Sequence, residues 1–149
     1  MKAVIQRVSH SCVVIDSVEK GSIGKGLMVL LGVEQGDTQA DADKLIKKIP
    51  LLRIFEDENG KMNLSCLDMD GEILVISQFT LCADCSHGRR PSFIHSAPPD
   101  IANQLYLYFV DGLKHSGVKK VDTGEFGADM KVSLLNDGPV TIILNSRDL

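Results

Sequence analysis

Four consecutive residues, Ser77-Gln78-Phe79-Thr80, place two hydroxyls and an amide directly after the apolar run Ile73-Leu74-Val75-Ile76. A strand that ends this way can bring donors, acceptors and free backbone N–H groups to a cleft. Such N–H groups stabilise the negative oxygen that develops when an ester is attacked. The same pattern also describes a plain strand end with polar caps, where Ser and Thr are common. A nucleophilic Ser77 or Thr80 needs a base within hydrogen-bond reach. His10, His87, His95 and His115 have no sequence-local relation to either hydroxyl, and the Gly-x-Ser-x-Gly elbow is absent. A side-chain nucleophile is therefore unsupported by the sequence alone.

Asn136-Asp137-Gly138-Pro139 is the second candidate. Proline removes a ladder N–H, so the segment reads as a turn or an edge. A cis Gly138-Pro139 bond would turn successive carbonyls to one side as a steric wall, although trans is the usual state of an X-Pro bond. Cys82-Ala83-Asp84-Cys85 has metal or redox spacing. One such pair without a second is a weak zinc signal, and two ordinary loop thiols explain it better. Gly88-Arg89-Arg90-Pro91 can grip phosphate through bidentate arginine contacts, or can be a solvated loop. No Walker loop and no Gly-x-Gly-x-x-Gly occurs, so no nucleotide cofactor is implied.

These segments need elements to hold them. Ala3 to Val14 reads as a strand, with a second short one around Val13 to Glu19, and Gly21, Gly24 and Gly26 mark a turn region. Leu27 to Val33 is a continuous apolar run of central-strand length. Asp37 or Thr38 can cap a helix whose apolar stripe is Ala42, Leu45, Ile46 and Ile49, limited by Pro50. Leu51 to Phe55 is extended, and Asp57-Glu58-Asn59-Gly60 is a hairpin turn. Glu72 to Leu81 is a strong strand, followed by a polar loop from Ala83 to about Ala97. Pro98 and Pro99 open a second helix with Ile101, Leu105, Tyr108, Phe109 and Leu113 on one face, and Gly117 stops it. Strands are expected over Val118 to Phe126, Ala128 to Leu135 and Val140 to Leu144, with the Gly-Pro segment between the last two. The reading is a single α+β domain, residues 1–149, with mostly antiparallel strands and two main helices.

Composition narrows the class of function. The 149 residues are 44% hydrophobic, enough for a sizeable core without disulfides. Cys12, Cys66, Cys82 and Cys85 fit reduced thiols. No apolar run reaches the roughly 18 residues of a membrane span, and the first residues turn polar too early for a signal peptide, so a cytoplasmic protein is expected. The net charge of -4 excludes broad wrapping of nucleic acid. RNA would be held by a local patch, drawn from Arg89 and Arg90, Lys119 and Lys120, and Lys25. Low aromatic content leaves no base-stacking platform.

Taken together, Ser77-Gln78-Phe79-Thr80-Leu81 and Asn136-x-Gly138-Pro139-Val140-Thr141 resemble the two signature motifs of D-aminoacyl-tRNA deacylases. The start, Met1-Lys2-Ala3-Val4-Ile5-Gln6-Arg7-Val8, and Arg90-Pro91-Ser92-Phe93 are similar to that family too. A related deacylase family carries Pro-Gln-Ala-Thr where this chain has Ser-Gln-Phe-Thr. The resemblance implies a barrel-like core and hydrolysis of the ester joining a D-amino acid to the terminal adenosine of tRNA, with glycine mischarged on tRNA also accepted. It implies a homodimer with active sites at the subunit interface, and aminoacyl-tRNA as partner. It implies a cis Gly138-Pro139 inserted into the partner's pocket to exclude L side chains, and Arg7 holding that pair. Ser77, Gln78, Phe79 and Thr80 become the expected catalytic segment, with N–H groups near Phe79 and Thr80 as the oxyanion site. Thr80 is one candidate nucleophile; the 2′-hydroxyl of the tRNA activating water is the other, favoured because no local base is evident. No cofactor or metal is implied. A non-catalytic binding module and a small-substrate Ser/His esterase are the rival readings.

Overall fold

One long strand, β1 (Lys2–Ile15), organises the whole sheet. In the computed structural model, which describes residues 1–149, one edge of β1 pairs antiparallel with β2 (Val18–Ile23) and β3 (Gly26–Gly32). Asp16 and Ser17 make the β1–β2 turn with φ of 48° and 62°. Positive φ at both central residues gives the twist of a tight hairpin. This is why β1 runs on to Ile15 and β2 starts at Val18, later than the expected Val13 to Glu19.

Two helices serve as crossovers. α1 (Gln39–Lys48) follows β3, and Thr38 with Asp41 forms its capping box. β6 (Glu72–Ser77) then returns parallel to β3. Between them lie a 3₁₀ turn, Ile49–Leu51, which takes in Leu51, the first residue of the segment expected to be extended, and a small hairpin of β4 (Phe55–Glu56) and β5 (Met62–Leu64) around the Asp57 turn. Pro50 ends α1 but its fixed φ suits the 3₁₀ turn. α2 (Pro99–Lys114) leads to β7 (Lys120–Thr123), parallel to β6. The expected strand Val118 to Phe126 is thus shorter. β8 (Lys131–Asn145) pairs antiparallel with the free edge of β1. β7 reaches back to β2, where the Asp122 carboxylate accepts from the Ser22 N–H at 2.8 Å. The mostly antiparallel sheet is thereby nearly closed and barrel-like.

The main core lies between this sheet and the two helices, around Leu27, Leu45, Phe55, Ile73, Phe109 and Leu113. A second apolar cluster, with Val8, Val13, Met28, Leu74 and Ile76, fills the other face. Burial of these side chains drives the fold. Two close approaches depend on glycine. A Cβ on Gly26 would collide with the Glu72 backbone, so β3 and β6 can pair here only with glycine at this point. A Cβ on Gly112 would strike Ile46, and its absence lets α1 and α2 pack together. Tyr106 of α2 donates its hydroxyl to the Val75 carbonyl at 3.1 Å, fixing the helix against β6, and burial raises its pKa to about 12. No helix is long and apolar enough to cross a membrane.

The thiols differ sharply in environment. Cys66 and Cys82 are buried, Cys12 is half-buried and Cys85 is exposed. Burial, with Glu72 nearby, pushes the Cys66 thiol up to about 12. Since the thiolate is the reactive form, iodoacetamide at neutral pH is expected to label Cys85 first and to spare Cys66 and Cys82 until denaturant is added. Peptide mass mapping reads the order, and early labelling of Cys66 would contradict the buried site.

Candidate active site

β6 stops at Ser77, one residue after Ile76 pairs with Leu30. The Gln78 N–H still reaches the Leu31 carbonyl at 2.8 Å, and the chain then enters a 3₁₀ turn, Phe79–Cys82. The strand was expected to continue to Leu81. It breaks because Gln78 leaves the strand (φ -146°, ψ 82°) and the Leu81 and Ala83 N–H groups fold back onto Gln78 and Thr80 carbonyls. Phe79 and Thr80 lead this turn, so their N–H groups have no acceptor inside it, as at the start of any short helix. Both residues are exposed, and Phe79 shows 56% of its surface.

Phe79 also forms one wall of an open cleft of about 560 Å³, with Phe93, Ser96, Pro98, Ala102 and Phe126 among its neighbours. The Phe79 and Phe93 rings meet edge to face at 5.0 Å. The Ser96 hydroxyl donates to the Phe79 carbonyl at 3.3 Å. Thr80 Oγ1 accepts from the Gln78 side chain. No imidazole or carboxylate hydrogen-bonds to Thr80 or Ser77. Residue spacing gave no signal for Ser96 or Phe126 as parts of this site. Both reach it through folding: Ser96 on the return of the loop, Phe126 after β7.

The second segment sits elsewhere in the chain. Asn136-Asp137-Gly138-Pro139 interrupts no strand; it is a bulge within β8. Residues 137–140 oppose Arg7 alone, since Asn136 pairs with Val8 and Thr141 with Gln6. The two expected strands, Ala128 to Leu135 and Val140 to Leu144, are therefore one strand that begins at Lys131. The Gly138-Pro139 peptide is cis, and both residues are exposed. Arg7, only 6% exposed, lies beneath. Its Nε donates to the Asp137 carbonyl at 2.7 Å and its Nη1 to the Ile54 carbonyl at 2.6 Å. Asn136 braces the bulge from inside, donating to the carbonyls of Arg7 (3.0 Å) and Val140 (3.2 Å).

Arg7 is level with Leu27 on β3, and Leu27 with Ile73 on β6. Gly138-Pro139 thus lies four residues down and three strands across from Ser77, roughly 13 Å by 14 Å along the sheet at ordinary strand spacings. The structure brings Ser77, Gln78, Phe79 and Thr80 together, and separately Arg7, Gly138 and Pro139. It does not join the two groups within one chain.

The remaining candidates fall into place without a site. Cys82 is buried against the Val33 carbonyl while Cys85 faces solvent, and no cluster of His, Cys, Asp or Glu has the geometry to hold a metal. Lys119 pairs with Glu72 and Lys120 with Asp122. Lys25 lines a small recess with Arg7 and Asp137.

A curled mixed sheet, two crossover helices and a strand that ends in a 3₁₀ turn beside an open cleft define an α+β protein. Comparison with known proteins is consistent throughout. The family model for D-Tyr-tRNA(Tyr) deacylases matches residues 4–145, and the chain belongs to that family. The D-aminoacyl-tRNA deacylase of Persephonella marina is 59% identical over 149 residues, all of both chains. That of Thermosipho africanus is 57% identical over 147 residues, covering 99% of this chain and 98% of its own. The solved structure of the c-Myc DNA unwinding element binding protein superposes with a TM-score of 0.92 at 41% identity, covering 97% and 98% of the two chains. A probable eukaryotic D-amino acid tRNA deacylase has the same fold, with a TM-score of 0.79 at 16% identity over 97% and 98%.

Proposed function

We propose that this protein hydrolyses the ester of D-aminoacyl-tRNA, D-tyrosyl-tRNA for example, releasing the free D-amino acid and tRNA. Family membership supports the reaction class. The observation that carries the mechanism is the 3₁₀ turn after Ser77: its leading N–H groups, those of Phe79 and Thr80, have no acceptor within it, and Phe79 lines the cleft. These donors hold the ester oxygen as it gains negative charge. The Thr80 hydroxyl is engaged by Gln78 and has no base, so its role is structural. The 2′-hydroxyl of the terminal adenosine assists the attacking water. Ser77 and Gln78 set the end of the strand, and Gln78 orients Thr80.

Selection against L-amino acids works by exclusion, which suits an editor that must spare an abundant correct product. Gly138 and Pro139 of a second subunit face the chiral centre, where an L side chain would collide with them. A D side chain projects the other way, and glycine, having none, also fits. Two observations support assembly of this site across a homodimer. The catalytic segment and the Gly-Pro bulge are far apart along one chain's sheet. β8 also leaves its outer edge unpaired, with Leu135 and Ile143 exposed, and open edges of this kind are natural pairing surfaces. The setting is cytoplasmic, and translation quality control is the role.

Purified protein assayed in parallel on D-tyrosyl-tRNA and L-tyrosyl-tRNA tests the proposal. Hydrolysis of the D form alone is expected; equal rates would sink the chirality mechanism, and protection of both esters would mark a binding module. Thr80→Ala and Ser77→Ala are expected to keep kcat within about tenfold of the parent, because neither hydroxyl starts the reaction. A loss of roughly 10⁴-fold or more, the scale seen when a triad nucleophile is removed, would favour a serine or threonine esterase.

A further inference from the structure

The loop after the 3₁₀ turn is a closed hairpin. Asp84 and Ser92 exchange both backbone hydrogen bonds, at 2.8 and 2.9 Å. The Asp84 side chain accepts from the Ser86 N–H at 2.9 Å, and Gly88 turns the tip at a φ of +68°. Arg89 and Arg90 sit on this tip, exposed. The other three arginines are occupied. Arg7 holds Asp137 and Ile54, Arg53 holds Asn63, and Arg147 reaches Glu34 and Asp37. Arg89 and Arg90 alone among the arginines have neither an ion pair nor a hydrogen bond.

Both legs of the hairpin are tied to the active-site cleft. The first leg leaves the Phe79–Cys82 turn directly. The second returns through Phe93, whose ring packs on Phe79, and through Ile94 and His95, whose carbonyls accept from Gln35 at 2.6 and 2.9 Å. Two unneutralised guanidinium groups are therefore held at a fixed offset from the turn that carries the oxyanion donors. In a chain of net charge -4, this is a local positive feature rather than part of a basic surface.

We propose that the Arg89–Arg90 hairpin is a phosphate clamp for the acceptor end of tRNA, gripping backbone phosphates next to the terminal adenosine whose ester lies in the cleft. This rests on the deacylase reading. A planar guanidinium accepts two phosphate oxygens at once, and a rigid hairpin loses little freedom on binding. The contacts are to backbone, so they fix register and carry no base sequence. One clamp can then serve tRNAs of many sequences.

The test uses full-length protein with Arg89 and Arg90 both replaced by Ala, and separately both by Lys. Substrates are D-tyrosyl-tRNA and the phosphate-free D-tyrosyl ester of adenosine. The Ala pair is expected to raise KM for the tRNA substrate about tenfold with little change in kcat. It should also lower the slope of log(kcat/KM) against log salt by about 1–2, the loss of one or two phosphate contacts. The Lys pair should keep the slope and recover part of the affinity. Hydrolysis of the adenosine ester should be unchanged in both, which also shows that the variants fold. Wild-type KM and salt slope in the Ala pair would overturn the clamp. So would equal loss on the adenosine ester, which would put the arginines in the cleft itself. Fluorescence anisotropy with uncharged tRNA separates the two levels of inference. Salt-dependent binding lost in the Ala pair supports the clamp even if the paired D and L assay were to reject the chirality mechanism.

Discussion

Replacing Gly138 with alanine is expected to lower kcat/KM for D-tyrosyl-tRNA about 100-fold while the fold stays intact. A Cβ at this position would lie 2.5 Å from both the Asn136 side-chain oxygen and the Val140 nitrogen. The Val140 nitrogen is backbone and cannot swing aside, and Asn136 is held by two carbonyls. The bulge itself must shift. Gly138 and Pro139 are exposed, so this costs little stability. It moves the surface proposed to meet the substrate's chiral centre, and a displacement near 1 Å is enough for a loss of about 10² in rate. The D-to-L rate ratio should narrow as well, because the wall no longer stands where an L side chain collides. Paired kinetics on the two tRNA esters, beside a thermal melt, reads all three quantities. Unchanged rates and ratio would mean that the bulge does not face substrate.

Arg7→Ala should have the largest effect on stability. Arg7 is nearly buried and gives charge-assisted hydrogen bonds to two carbonyls from distant segments, Asp137 and Ile54. Removing it deletes both bonds and leaves buried acceptors without partners. At roughly 1.5–3 kcal/mol per charged hydrogen bond, a loss of about 3 kcal/mol is expected, which for a domain of this size lowers Tm by about 10 °C. Arg7→Lys should rescue little, because one ammonium on a flexible stem cannot reproduce two bonds made by a planar fork. Activity should fall below what unfolding explains, since the Asp137 carbonyl directly precedes the Gly-Pro pair. Calorimetry combined with kinetics well below Tm separates the two contributions. Full recovery by lysine would show that charge alone matters here.

Both helices were legible because their signals are local. Thr38 caps one, prolines open the other, and each carries a regular apolar stripe. The segments at the site were legible as motifs but not as shapes. Nothing in Gln78-Phe79-Thr80 announces that the strand ends at Ser77, because the break depends on Leu31 and on Ser96 holding the Phe79 carbonyl. The β8 bulge was read as a turn between two strands, since proline and glycine look alike in either setting. Only its pairing with Arg7, set 130 residues earlier, shows that the strand resumes in the same sheet. Asn136 stood in the motif without a role until its two carbonyl partners were in view. Phe93 was noticed for its neighbours in sequence, and its packing on Phe79 emerged from the closed hairpin.

The dependence of β1 on β8 has a consequence for how the molecule is made. β3 starts at Gly26, just after β2 and close to the end of β1 at Ile15, so those strands can pair early in synthesis. The Gly-Pro bulge cannot take shape until β8 docks on β1, a contact that closes a loop of well over a hundred residues. Such long-range pairing comes late in folding and slows it. A nascent chain at the ribosome can therefore carry the formed 3₁₀ turn after Ser77 before the Gly-Pro bulge exists. On the proposed mechanism, chirality checking is then the last property this protein acquires as it folds.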